Sequence, residues 1–300
     1  MPRYALVADV GGTKIAAARV SESAIVTHQV TAPTPLDGDR AAAEAVLDLL
    51  AQLPSAGACV AGVGVPGLVR ANGVVWAPNI PGWQRMPLGS MLRRRFKLPV
   101  LVESDRNAFV SGEVWKGVAK NCTDVVFIAI GTGIGAGILS GGRLVRGNGD
   151  LAGALGWMAV RDPFLPEYKA TGCLEYHVSG PGIAREAQRL FGRHIDTREI
   201  FQLARLGDAR ARSVVAQAGY LLGLAMANIV DTLNPEMIVI GGGVAAAGRM
   251  LIAPAQQAMQ QWAQPLAAKQ VRIRRSGLAG RAGLLGIARL AFDFLLRHSG

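Results

Sequence analysis

No apolar stretch of this 300-residue chain runs uninterrupted for the roughly 20 residues that a bilayer helix requires. The longest candidate, "YLLGLAMANIVDTLNP" from Tyr220, is broken by Gly, Asn and Asp, so no membrane span is expected. No basic stretch, apolar stretch and cleavage site precede the first strand-like run, so no secretory leader is expected and a cytoplasmic protein is predicted. Cysteine is scarce: Cys59, Cys122 and Cys173 lie far apart, form no CxxC pair and build no disulfide framework, in keeping with a reducing compartment.

Acidic residues are the minority charge, 21 Asp and Glu against 32 Lys and Arg, giving a formal net charge of +11. That balance favours anionic ligands. No helix-turn-helix, zinc-finger or RNP pattern accompanies it, and arginines are dense only at "RRRF" (Arg93 to Phe96) and "RIRR" (Arg272 to Arg275), so no specific nucleic-acid partner is expected. Half of the residues are hydrophobic, enough for a sizeable core in one large domain or two medium ones.

The opening segment reads as strand, turn, strand, turn, strand: "YALVADV", "GGTK", "IAAARVS", then "SAIVTHQVTA". A P-loop or a dinucleotide fingerprint leads from strand into helix, whereas Gly11 to Lys14 lead into another strand-like run. Residues 40–53 read as an amphipathic helix with Ala43, Val46, Leu47 and Leu50 on one face. "CVAGVGVPGLV" and "PVLVES" read as buried strands, and "RNAFVSGEVWKGV" as a helix. The order then returns: "DVVFIAI", "GTGIG", "AGILSGG", "RLVRG" is again strand, glycine turn, strand, turn, strand, so the chain reads as duplicated. Helices are predicted from Cys173 to Phe191, Ala211 to Leu233, Ala246 to Trp262 and Arg281 to Arg297, with strands at "EMIVIGGGV" and "VRIRR".

Successive glycines in a tight turn expose backbone N–H groups with no side chain in the way, and such a concave set of donors holds an anion. Thr13 adds a hydroxyl and Lys14 a cation, while Asp9 before them suits a Mg²⁺ held through water. Gly131, Thr132, Gly133 and Gly135 offer the same donors in the second half, and Gly241, Gly242 and Gly243 follow a strand where backbone can pass close to a flat ring or a ribose. Plain hairpins with glycines supplying positive φ are the alternative for the two turns. Asp105 in "LVESDRNAF" stands where a strand gives way to a helix, a position that suits a proton-accepting carboxylate or a helix N-cap.

These segments, in this order, resemble the ROK family of bacterial sugar kinases and related repressors, within the actin and hexokinase-like ATPase superfamily. "DVGGTK" and "IGTGIG" are similar to its phosphate motifs, "VIGGGVA" to its adenosine motif and "ESDRNAFVSGE" to its catalytic-aspartate segment, and the likeness runs from residue 4 to about residue 292. "GVPGLVRANGVVWAPNIPGW" resembles the sugar-side loop, and "GCLEYHVSG" the end of the zinc and sugar segment. The resemblance implies a duplicated α/β fold of the actin-like, ribonuclease H-like kind: a small lobe of residues 1–118 with the helix near 281–297 packing back on it, a larger lobe of residues 119–280, and a cleft between.

It also implies ATP-dependent, Mg²⁺-assisted phosphorylation of glucose or a related hexose, commonly at the 6-hydroxyl, by a homodimer. Asp105 is implied as base, Asn79 and Glu175 as sugar hydroxyl partners, and Gly67 as a neighbour of the sugar. The departures fall on the sugar side. Ser104 stands where Asn is usual, Ala154 where Glu is usual and Trp157 where His is usual, and only Cys173 remains of three zinc cysteines. One thiolate, even with His177 four residues on, does not make a closed tetrahedral site, so no zinc is expected. Trp157 reads either as a stacking platform for a sugar face or as a core residue. ROK-type repressors carry a DNA-binding region ahead of the kinase-like part, and a first strand near Tyr4 is expected to leave no room for one. The rival function is a catalytically weak sugar or nucleotide sensor acting through a partner.

Overall fold

Alternating apolar residues in the first strand serve two faces of one sheet, and the rest of the first unit is built on that fact. In the computed structural model, which describes residues 3–70, 72–278 and 280–298, β1 (Tyr4–Val10), β2 (Lys14–Ser21) and β3 (Val26–Pro33) form an antiparallel ribbon. After α1 (Ala41–Ala51), β4 (Ala58–Val65) lies parallel to β1. A short hairpin of β5 (Leu68–Val69) and β6 (Val75–Trp76), then α2 (Leu88–Phe96), lead to β7 (Val100–Ser104) and α3 (Asp105–Lys116). The strand order is β3-β2-β1-β4-β7.

The second unit opens with β8 (Val125–Ile130), β9 (Ile134–Ser140) and β10 (Arg143–Leu144), again antiparallel. It continues through α4 (Tyr168–Thr171), α5 (Cys173–Val178), α6 (Gly180–Phe191), α7 (Thr197–Leu206) and α8 (Ala209–Leu233) to β11 (Met237–Gly241), α9 (Arg249–Trp262), α10 (Pro265–Gln270) and β12 (Arg272–Arg275). Its order, β10-β9-β8-β11-β12, repeats that of the first sheet position by position, so the fold is a duplicated α/β fold of the actin-like kind. The last helix, α11 (Ala282–His298), belongs to the first unit, which comprises residues 1–121, 146–151 and 277–300; the second comprises 122–145 and 152–276.

In the first unit Leu6, Ala8 and Val10 of β1 pack with Val46, Leu50 and Leu92 from α1 and α2, while Ala5 and Val7 pack with Leu284, Ile287 and Ala291 of α11. This is the strand period of two at work. In the second unit one continuous core gathers Ile128 and Ile130 of β8, Ile238 and Ile240 of β11, and the buried stripe of α8. On length and composition α8 is apolar enough to cross a membrane, more so than the sequence reading allowed, but most of that apolar surface is buried in this core.

Four local expectations are corrected. The predicted helix 173–191 breaks at Ser179 (φ −65°, ψ 166°), because its Oγ accepts from the Gly182 amide at 3.2 Å and caps a new helix that carries Pro181 in its first turn. The predicted helix 246–262 begins only after Gly248, whose φ of 61° separates it from a 3₁₀ turn over Gly243–Ala247. On α1, Ala43, Val46 and Leu50 are buried as expected, but Leu49 is buried and Leu47 only half-buried. The predicted strand "RLVRG" ends at Leu144, after which the chain leaves the second sheet and residues 146–151 group with the first unit.

Candidate active site

Asp9 and Val10 end β1 opposite Ala16 and Ile15 of β2, so Gly11, Gly12 and Thr13 form the connecting turn. The Gly11 amide donates to the Lys14 carbonyl at 2.9 Å and closes it. Thr34, at the end of β3, fastens it: its Oγ1 donates to the Gly11 carbonyl at 2.7 Å and its amide to the Thr13 carbonyl at 3.1 Å. Gly12, Thr13 and Lys14 stand exposed at the tip. Thr34 was missed by sequence reasoning, because a lone threonine in "TAPTP" carries no signal of its own.

β7 runs straight into α3. Ser104, at φ −65° and ψ 137°, is the N-cap residue and Asp105 the first helical residue, which removes the alternative of Asp105 as cap. No side chain caps this helix, for the Ser104 hydroxyl accepts instead from Arg106 Nε at 3.2 Å. Burial pushes the Asp105 carboxyl up to about 6, opposed by the Arg106 charge, the Arg106 amide and the Ser104 side chain. Burial, and next the charge of Asp105, push Asp9 up to about 7, with Lys14 pulling the other way. The two carboxylates are thus electrostatic neighbours. Gly283, in the first turn of α11, lies against Asp9, where a β-carbon would stand 2.1 Å from Oδ2. One carboxylate with a second in electrostatic reach suits a hydrated Mg²⁺, which binds one or two carboxylates and keeps several waters.

On the sugar-side loop, Gly67 turns the chain between β4 and β5 at φ 123°, and Asn79 is exposed. The fully buried Trp83 anchors the loop, its carbonyl accepting from the Ala77 amide at 2.8 Å. Ala71, within this loop, lies outside the described residues.

In the second unit the turn repeats: Ile130 pairs with Ile134, and the Gly131 amide donates to the Gly133 carbonyl at 2.9 Å. Gly180, at the start of α6, braces it by donating to the Gly131 carbonyl at 2.8 Å. Gly242 passes over the strand just before the turn, and at φ 87° a β-carbon there would lie 2.3 Å from the Ile130 carbonyl oxygen, so only glycine fits. Gly241, Gly242 and Gly243 are thereby brought to the Gly131 turn. Glu175 of α5 is half-buried, its Oε2 accepting from the Ile134 amide at 2.7 Å. Burial raises its pKa and that amide lowers it. Gly133 and Gly156 both lie against this carboxylate, so Glu175 sits between the phosphate-type turn and Trp157.

Trp157 is 56% exposed, which overturns its reading as a core residue. With Arg161, Phe164, Tyr168, Lys169 and Cys173 it lines a cavity of about 360 Å³. Ala154 is exposed. Cys173 and His177 are engaged separately, the thiol with the Arg161 carbonyl and His177 Nε2 with the Tyr168 hydroxyl at 2.7 Å. Among the described residues, no group of three or more His, Cys, Asp or Glu is placed to hold a metal ion.

Comparison with known proteins identifies the family. A sequence model of the ROK family matches residues 5–293. A glucokinase of Halalkalibacterium halodurans is 34% identical over 313 residues, spanning 95% of this chain and 93% of that protein. A crystal structure of a ROK hexokinase from Thermus thermophilus, 32% identical, superposes with a TM-score of 0.81 and covers 98% of this chain and 99% of that one. A ROK family glucokinase from Streptomyces griseus, solved in complex with glucose and AMPPNP, is 29% identical with a TM-score of 0.83, covering 97% and 99% of the two chains.

Proposed function

From a chain that belongs to the ROK family and is similar to glucokinases along nearly its whole length, we propose an enzyme that transfers the γ-phosphoryl group of ATP to a hexose hydroxyl, the 6-hydroxyl of glucose or a related sugar. The observation that carries this is Asp105, the first residue of α3, uncommitted to capping and with a pKa of about 6, ionised near neutrality and still basic enough to accept a proton.

In the proposed reaction the sugar oxygen attacks the γ-phosphorus, the bond from that phosphorus to the β,γ-bridging oxygen breaks, ADP leaves, and the hydroxyl proton passes to Asp105. Gly11, Gly12, Thr13 and Lys14 of the first unit, and Gly131, Thr132 and Gly133 of the second, are assigned to the polyphosphate. Gly241, Gly242 and Gly243 are assigned to the nucleoside. Asp9 would orient Mg²⁺ through water, and the ion when bound offsets the charge of the phosphates. Gly67, Asn79, Ser104, Trp157 and Glu175 are assigned to the sugar. A homodimer and a cytoplasmic location belong to the same proposal, with sedimentation velocity and cell fractionation as their tests.

A coupled ADP-release assay across hexoses, with Asp105→Asn as control, tests the reading. Hexose-dependent release that vanishes in the variant supports it; release that persists unchanged removes Asp105 from the role. A second reading, a sugar or nucleotide sensor of weak activity, draws on Ala154, exposed and without a carboxylate at a usual sugar contact. Calorimetry separates them, since tight sugar or ATP binding without turnover favours the sensor.

A further inference from the structure

The corner that presents Asp105 is held in an unusual way. Glu103, at the end of β7, is 2% exposed, yet its carboxylate is an acceptor for four donors. Oε1 accepts from the Ser104 amide at 2.9 Å, from Asn107 Nδ2 at 3.0 Å and from Arg146 NH1 at 3.0 Å, and Oε2 accepts from Arg146 NH2. Arg146 NH1 also reaches Asp150 Oδ1 at 3.1 Å, and Arg106 NH2 donates to the Asp150 carbonyl at 3.3 Å. Asp150 holds a left-handed φ of 63°, a conformation with a steric cost for any residue but glycine, and its Oδ2 is buried without a partner. A non-glycine residue in that conformation persists when its surroundings over-determine it.

Arg146 to Leu151 belongs to the first unit although the strands before it belong to the second. We propose that this segment is a clamp on the catalytic corner, with Arg146 and Glu103 as positioning residues. They fix the Ser104 amide and the Asn107 side chain, on either side of Asp105, in place of the missing helix cap. A guanidinium that bridges two carboxylates supplies two fixed directions at once, which an ammonium does not. The proposal rests on the reading of Asp105 as the base.

The test uses Arg146→Met, Arg146→Lys and the double variant Glu103→Gln/Arg146→Met, which removes the buried Glu103 charge together with its partner and so spares the corner an unpaired Glu103 carboxylate. Two measurements are made on each full-length protein: hydrogen exchange of the amides at residues 104–107, and hexose-dependent ADP release. Expected are at least tenfold faster exchange at the corner and a ten- to hundredfold lower kcat in Arg146→Met and in the double variant, with KM for ATP within twofold of wild type. Partial recovery is expected in Arg146→Lys. Wild-type kcat and unchanged corner exchange in the Met and double variants, with only a lower Tm, would overturn the clamp. Exchange needs no turnover, so a wild-type protein inactive on every hexose would remove the functional reading while the exchange result still decides the clamp.

Discussion

The Asp9 carboxylate rests against the α-carbon of Gly283, so closely that a β-carbon there would lie 2.1 Å from Oδ2 and 3.0 Å from Oδ1. Gly283→Ala therefore has to displace the carboxylate or the start of α11. We expect a loss of about 1–3 kcal/mol of stability from overpacking. We also expect a severalfold rise in the Mg²⁺ concentration for half-maximal ADP release, read from a Mg²⁺ titration beside a thermal melt. An unchanged Mg²⁺ dependence would separate Gly283 from the role assigned to Asp9.

Asp9 also sets a pH dependence of stability. Its folded pKa of about 7 lies above the ordinary 3.8, so the folded state binds this proton more tightly than the unfolded chain. The associated stability is complete below 3.8 and is lost as pH rises through about 7. Asp9→Asn, neutral throughout, should melt higher than wild type above neutrality, by up to roughly 4 kcal/mol, and show no advantage in acid. Equal melting temperatures at alkaline pH would contradict the burial of this charge.

Asp105 must be ionised to take a proton, so kcat/KM for the sugar should fall on the acid side with a midpoint near the about 6 of that carboxyl. Arg106→Gln removes the charge that opposes burial, and should move that midpoint upward. A profile flat down to the ordinary carboxylate range would show that another group accepts the proton.

The long strands, the two glycine turns and the duplication were legible because apolar alternation and glycine placement are local signals; the short hairpin of β5 and β6 was not, β5 being read as the end of a single strand over 59–69. Four helices, α2, α4, α7 and α10, were not read. Of these α7 did carry a signal: Asp196 Oδ1 accepts from the Glu199 amide at 2.8 Å, the start that Asp followed three residues later by Glu announces. α2 starts after Pro87 with no capping side chain, and its run of arginines hides a short apolar face of Leu88 and Leu92. The break at Ser179 was readable from Ser-Gly-Pro-Gly. What no local pattern could show is the bond between Arg146 and Glu103, 43 positions apart, or the approach of Gly283 to Asp9 from the far end of the chain. Such pairs exist only once the sheet has ordered its strands.

On the sugar side of the second unit, Glu175→Ala strips the Ile134 amide of its acceptor and should cost about 1–3 kcal/mol. Glu175→Gln keeps an acceptor and should cost less. Both should raise KM for the sugar while leaving KM for ATP near wild type, and equal rises in the two constants would argue for a general disturbance of the Gly131 turn.

Trp157→Ala separates stacking from packing. A side chain 56% exposed contributes little to the fold, so stability should change by no more than about 0.5 kcal/mol. If the indole carries a sugar face, KM for the sugar rises about tenfold, equivalent to about 1.4 kcal/mol. A large stability loss with an unaltered KM would assign Trp157 to packing.

The most direct measurement is phosphorus NMR of the products formed from ATP, Mg²⁺ and glucose or another accepted hexose, with wild type beside Asp105→Asn. The account predicts a sugar phosphomonoester formed in step with ADP by the wild type and none above background with the variant. ADP accompanied only by inorganic phosphate, or the same phosphomonoester at the same rate from both proteins, would contradict it.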